Sequence, residues 1–209
     1  MLGRPESYFR EPDETSWAER FGLPQDGSHV CDYNAFIQVV GAVASSDNGV
    51  LGARVMWGSL DRMVRGLQGP SRRSDLAILE HAFGPLRFAY LWREDILAQA
   101  VSWYRAETTG FWQQGDNEER PPTRDLDRMK EIVGTIREHN SAWRSWFDDH
   151  GVSPHVVTYE QLVQDNGATV EGIAALVGVT VRADWRPASP HRKQADDLNA
   201  EWAAALRTE

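Results

Sequence analysis

The sequence predicts an α/β fold with three layers, a parallel sheet flanked by helices on both faces. Three observations predict it. Short, mostly apolar and β-rich runs stand at residues 49–57 ("GVLGARVMW"), 86–92 ("LRFAYLW") and 155–159 ("HVVTY"). Helical periodicity fills the intervals between them, and strands alternating with helices are the signature of a covered parallel sheet. With 209 residues and 41% hydrophobic content, the chain can bury one sizeable core, which points to a single domain over residues 1–209.

Each element follows from local chemistry. The first forty-odd residues are rich in Pro, Gly, Asp and Glu, with short helical stretches predicted at 15–21 and 34–44. The run 49–57 is the first predicted strand. Apolar spacing predicts helices at 60–67 and 75–83, before the strand at 86–92. Asp95 is placed to cap a helix over 95–106. Charged, Pro-containing "QQGDNEERPPTRD" (113–125) reads as a surface connection, because neither flank alone holds a complete core. A long helix then carries Leu126, Met129, Val133, Ile136, Trp143 and Phe147 at three- and four-residue steps, and leads to the strand at 155–159.

Charge and composition exclude several functions. Twenty-two basic against 31 acidic residues give a net charge of −9, which argues against general binding to nucleic acid or an anionic membrane. An anionic ligand must therefore meet a focused site. Cys31 is the single cysteine, so there is no internal disulfide and no cysteine-built zinc site, and a reducing cytoplasm fits best. The longest apolar stretch, near 36–44, is far below the ~20 residues that span a bilayer, and no signal-peptide pattern opens the chain. The histidines lack the H-E-x-x-H arrangement and no Asp/Glu/His cluster has ligand spacing, so no metal is expected.

In parallel α/β sheets ligands sit beyond the carboxyl ends of the strands. After the second predicted strand comes "WREDILAQAVSWYRAETTGFW" (92–112), with Arg93 at the strand end and Ser102 nine residues on. A guanidinium and a hydroxyl can together hold a phosphate. The same residues also fit an Arg paired with Glu94 or Asp95 and a Ser facing solvent. Trp103, beside Ser102, is the best of the nine tryptophans for a ligand wall, whereas Trp143 and Trp146 suit core or interface positions. "GLQGPSRRS" (66–74) is not a Walker-type loop and reads as a solvated basic turn. "HRKQADDLNAEW" (191–202) gathers basic residues just before an acidic helix, which a helix start with charged flanks also explains.

Taken in order, "GRPESYF" (3–9), "GVLGARVMW", "LWREDILAQAVSWYRAETTGFW" (91–112), "AWRSWF" (142–147) and "RKQADDLNAEW" (192–202) resemble the bacterial trehalose 2-sulfotransferase family, almost end to end. The resemblance implies an α/β fold related to P-loop nucleotide kinases. It also implies transfer of a sulfuryl group from 3′-phosphoadenosine 5′-phosphosulfate, without a metal, to a hydroxyl of a sugar or glycolipid-like acceptor. A homodimer is a further implication. In the family the Gly-x-Pro stretch follows a strand, a loop of the type Arg-Ser-Gly-Ser-Thr and a helix whose amino terminus holds the donor's phosphosulfate. That unit, ~25 residues long, does not precede Gly3 here. An internal start and a genuine remnant, a weak nucleotide-binding or interaction module, both account for it. Residues 1–209 by themselves are thus expected to lack the first strand and the phosphosulfate loop, and to have little or no sulfotransferase activity.

Residue by residue, the resemblance places Arg93 and Ser102 on the donor's 3′-phosphate and Arg192, Lys193 and Gln194 over the nucleotide. Tyr8, Phe9, Trp103 and Arg105 are implied near the acceptor. The family's general base is a Glu just before the aromatic pair, where this chain has Ser7, with Glu6 one residue earlier. A serine cannot remove the acceptor's proton unaided, so Glu6 is the catalytic candidate.

Overall fold

The fold is that of a computed structural model, which describes residues 2–27, 29–67, 73–110, 112, 121–182, 184–185 and 197–208. In chain order the described elements are α1 (Glu11–Arg20), β1 (Gln25–Asp26), β2 (His29–Val30), α2 (Tyr33–Ala44), α3 (Trp57–Leu67), α4 (Asp75–Phe83), β3 (Ala89–Trp92), α5 (Ile96–Thr109), α6 (Leu126–Asp149), β4 (His155–Thr158), α7 (Tyr159–Gln164), α8 (Asn166–Leu176) and α9 (Asp197–Thr208). The chain is a mixed α/β protein with a small parallel sheet. It divides into two compact units: Met1–Ala89 with Phe147–His155 and Val170–Trp185, and Tyr90–Trp146 with Val156–Thr169 and Arg186–Glu209.

The first unit is built around aromatic rings. Tyr8 and Phe9 are fully buried, and Phe9 meets Phe36 and Phe83 edge to face at centroid distances of 6.2 and 6.0 Å. The edge-to-face arrangement sets positive ring edges against negative ring faces. The helices that carry these rings start on local signals. Asp32 caps α2 by accepting from the Ala35 N–H at 2.9 Å, and Ser74 caps α4 from Ala77. Three acidic residues in the first turn of α1 favour the positive end of its dipole.

A buried ionic cluster ties three of these helices. Glu14 of α1, with a side chain only 2% exposed, accepts from the Tyr33 hydroxyl and from Arg62 Nε, each at 3.1 Å. Arg62 also reaches Glu11. Burial, with Glu14 beside it, pushes the Tyr33 phenol far up, so the hydroxyl stays a donor.

The amino-terminal Gly-x-Pro turn lies against the 49–57 run, backbone to backbone. Gly3 has φ +75°, and a Cβ there would come within 2.2 Å of the Gly52 nitrogen; one on Gly52 would meet the Leu2 carbonyl at 2.6 Å. Only glycine fits either position. The run expected as the first strand is therefore not one. Leu51 bridges Ser45 antiparallel and Ala53 bridges Glu6 parallel, one residue each, and Trp57 already starts α3. Two partners contacted singly cannot build a ladder, and the glycines that permit the close approach also weaken extended pairing.

In the second unit β3 and β4 pair as the parallel sheet, as predicted for 86–92 and 155–159. The sheet among the described residues has two parallel strands where the sequence predicts three. Its helical core comprises Ala100, Val101 and Tyr104 of α5, Met129, Ile132, Val133 and Ile136 of α6, and Trp202, Ala203 and Leu206 of α9. These are three-and-four stripes, so each helix offers one apolar face. The predicted helices at 60–67, 75–83 and 95–106 correspond to α3, α4 and α5, and the long stripe from Leu126 is α6. The hairpin of β1 and β2 and the helices α7 and α8 were not foreseen. Most of the 113–125 connection and of "GLQGPSRRS" lies outside the described residues.

Two replacements test this packing. Arg62→Ala leaves the buried Glu14 carboxylate short of its ionic partner and should lower unfolding free energy by about 3 kcal/mol, whereas Glu14→Leu with Arg62→Leu should recover much of the loss. Denaturant titration checks both. Gly3→Ala combines a left-handed backbone with a backbone clash and should cost about 2 kcal/mol or more, read as a lowered midpoint.

Candidate functional site

The two parallel strands leave the sheet at the same end, and Arg93 follows one while Tyr159 and Glu160 follow the other. Thr158 fixes the second exit. Its hydroxyl accepts from the Gln161 N–H at 3.1 Å, and the Gln161 side chain accepts from the Thr158 N–H at 3.0 Å, a reciprocal cap that starts α7 abruptly at Tyr159. The Arg93 guanidinium carbon lies over the Tyr159 ring, 4.5 Å from its centroid. Glu160 Oε1 stands 3.8 Å from Arg93 Nε, and Glu160 Oε2 accepts from the Glu94 N–H at 3.1 Å. Arg93 is 16% exposed at its side chain, and its buried Nε has no hydrogen-bond partner among the described residues. The expected alternative partners, Glu94 and Asp95, do not pair with it. A buried guanidinium with unused donors is an arrangement suited to an oxyanion.

Helix α5 carries the other candidates of this unit. Asp95 caps it, accepting from the Ala98 N–H at 3.0 Å, and its second oxygen takes Arg207 Nη2 at 2.6 Å. Ser102 lies seven residues beyond Asp95, on the same helix face and about 10 Å along the axis. It is exposed, and its hydroxyl makes no hydrogen bond among the described residues. Trp103 is half-buried against the helical core and donates its indole N–H to Glu107 at 2.7 Å. Arg105 donates to Asn199 of α9. The two contacts with α9, Asp95 to Arg207 and Arg105 to Asn199, make the helices antiparallel, so the amino end of α9 lies near the Arg105 end of α5. Arg192, Lys193 and Gln194, three to five residues before Asp197, lie outside the described residues.

In the first unit Glu6 and Ser7 follow the Gly-x-Pro turn and differ in exposure. Glu6 is exposed, while Ser7 is buried and its Oγ accepts from Arg54 Nε at 2.8 Å. Adjacent extended residues point to opposite sides, which is why one carboxylate meets solvent and one hydroxyl does not. Tyr8 and Phe9, expected near an acceptor, are fully buried. The Tyr8 hydroxyl donates to the Arg4 carbonyl at 2.8 Å, and burial, together with the nearby Glu6, raises its pKa. Among the described residues no group of three or more His, Cys, Asp or Glu side chains could hold a metal ion, and no helix is long and apolar enough to cross a membrane.

A family model described as Stf0 sulphotransferase matches residues 1–209. The chain belongs to the Stf0 sulphotransferase family. It is 27% identical over 224 residues to a trehalose 2-sulfotransferase of Mycobacterium tuberculosis (strain ATCC 35801 / TMC 107 / Erdman), an alignment covering all of this chain and 80% of that protein. It is 28% identical over 184 residues to a trehalose 2-sulfotransferase of Mycolicibacterium smegmatis, covering 82% of this chain and 65% of that protein. Membership in the Stf0 family supports sulfuryl transfer as the general chemistry, which requires a sulfate donor.

Sequence reasoning singled out Arg93 but missed Tyr159, Glu160 and Arg54, which this Stf0 family chain sets around its candidate residues. One signal was available: Thr158-x-x-Gln161 directly after an apolar run is a capping box, which marks where a strand gives way to a helix. Nothing local marks Arg54, whose partner is 47 residues away.

The two contacts of Asp95 differ in expected weight. Asp95→Ala removes the cap and should cost about 1 kcal/mol, while Arg207→Ala breaks only an exposed ion pair and should cost less than about 0.5 kcal/mol. Urea titrations of the two variants check the order.

Proposed function

We propose that this protein transfers a sulfuryl group from 3′-phosphoadenosine 5′-phosphosulfate to a hydroxyl of a sugar or glycolipid-like acceptor. The observation that carries this reading is Arg93, a largely buried guanidinium at the carboxyl end of the sheet with hydrogen-bond donors unused among the described residues. In this reading Arg93 and Ser102 take the donor's 3′-phosphate, and Arg192, Lys193 and Gln194 close over the nucleotide. Ser102 suits the role because its hydroxyl is exposed and uncommitted. Trp103 and Arg105, further along the same helix, face the acceptor.

The chemistry is an in-line displacement. The acceptor oxygen forms a bond to sulfur as the bond between sulfur and the bridging oxygen of the 5′-phosphate breaks, and adenosine 3′,5′-bisphosphate departs with the electron pair. The acceptor's proton goes to Glu6, whose exposed carboxylate is free of a described partner. Tyr8 and Phe9 serve from the core, fixing the turn that carries Glu6, since both are fully buried. Cationic and N–H groups stabilise charge gathering on the leaving phosphate. The names of the curated relatives support trehalose as the first acceptor to try.

Calorimetry with adenosine 3′,5′-bisphosphate and adenosine 5′-phosphate tests the donor site. The bisphosphate should bind at least tenfold more tightly, about 1.4 kcal/mol, and Arg93→Ala should abolish the difference. Equal affinities would remove the assignment. Transfer of labelled sulfate to trehalose tests the reaction in residues 1–209 and in a form extended upstream by a strand and an Arg-Ser-Gly-Ser-Thr loop. The extended form should turn over, residues 1–209 should show little or no transfer, and Glu6→Gln in the extended form should lower turnover about a hundredfold. Nucleotide binding without transfer to any sugar, in the extended form as well, would leave a binding module in place of an enzyme.

A further inference from the structure

Arg93 shares its surroundings with two residues that no role in the displacement accounts for. The Tyr159 ring covers one face of the guanidinium at 4.5 Å, and Glu160 approaches Nε at 3.8 Å, too far for a hydrogen bond. Glu160 is itself held elsewhere, by the Glu94 N–H at 3.1 Å. We infer that Tyr159 and Glu160 are positioning residues, which fix the plane of the Arg93 guanidinium so that its N–H donors stand ready for a phosphate. The inference rests on the reading of Arg93 as the 3′-phosphate contact.

A flat cation has two ways of losing its orientation, by tilting out of plane and by turning within it. An aromatic face opposes the first, because tilting moves the cation off the ring's negative surface. A carboxylate near one edge opposes the second, because turning carries Nε away from it. At 3.8 Å the carboxylate attracts without consuming a donor, so the buried Nε of Arg93 remains unbonded among the described residues. Glu160 can act this way only because its other oxygen is bound to backbone: the Glu94 N–H belongs to the residue after Arg93, so arginine and carboxylate are referenced to the same stretch of chain. The reciprocal cap at Thr158 sets where Tyr159 and Glu160 leave the strand. Guanidinium fixed beforehand loses less freedom when a phosphate arrives, which strengthens binding without a new contact.

The test uses the full chain and the ratio of dissociation constants for adenosine 5′-phosphate and adenosine 3′,5′-bisphosphate, measured by calorimetry alongside thermal melts. Tyr159→Phe keeps the ring and should hold the ratio within about threefold of the unmodified chain, whereas Glu160→Gln keeps an acceptor for the Glu94 N–H but loses the charge facing Nε and should lower the ratio. Tyr159→Leu and Glu160→Ala should each lower it about tenfold. On an Arg93→Lys background, where there is no plane to fix, the same two replacements should lower it by no more than about twofold. A purely structural role gives a different pattern. It would weaken both nucleotides alike, lower the melting temperature and leave the ratio unmoved, and that result, or equal losses on the two backgrounds, overturns the inference. An unmodified chain that shows no preference for the bisphosphate would instead defeat the reading of Arg93, and the inference with it.

Discussion

Two parallel strands cannot be joined by a tight turn. Their pairing requires a crossover, and both strands then leave the sheet at one edge. In this protein β3 and β4 satisfy that rule with α5 and α6 between them, and the chemistry of the second unit depends on it. Arg93 and Tyr159 are neighbours because their strands run the same way; an antiparallel pair would send them to opposite ends. The common edge is also where the described backbone changes from strand to helix twice, at Asp95 and at Thr158, each with its own cap.

Comparison of two arginines shows how the same side chain serves two purposes. Arg62 and Arg93 have nearly equal side-chain exposure, 15% and 16%. Arg62 is hydrogen-bonded to a buried carboxylate that also accepts from Tyr33, so its charge is spent within the first unit. Removing its partner would strand a buried charge, which is the mark of a structural pair. Arg93 has a carboxylate nearby, but at a distance that leaves its donors available. In a chain of net charge −9, such a site is what an anionic ligand needs: the overall field repels it, and a largely buried guanidinium just past a strand end recovers the attraction locally.

The amino-terminal turn is governed by backbone approach rather than by side chains. Gly3 and Gly52 let two segments come closer than any Cβ allows, and the single bridge between Glu6 and Ala53 registers them. Register decides which side chain is exposed. Glu6 is outside, and Ser7, one residue on, is inside with Arg54 on its hydroxyl. The next two residues, Tyr8 and Phe9, complete the aromatic core, so the segment that presents a carboxylate is anchored by two fully buried rings.

Helices α3 to α6, and the strands β3 and β4, were legible in the sequence because their signals are local. Three-and-four apolar spacing, an Asp or Ser before the first turn, and short β-branched or aromatic runs each act within a few residues. Arg93 could be singled out for the same reason, since it directly follows such a run. What stands around it was settled only by the tertiary structure. The ring over its guanidinium lies 66 residues further along the chain, and Glu14, Tyr33 and Arg62 meet across three helices with nothing in their sequence neighbourhoods to announce it. The 49–57 run fails as a strand for a related reason. Its apolar composition is local, but a strand also needs a continuous partner, and the fold gives this segment two partners of one residue each. Composition and periodicity determined which segments become regular; pairing and burial, which join residues far apart in sequence, decided which side chains were left with donors to offer.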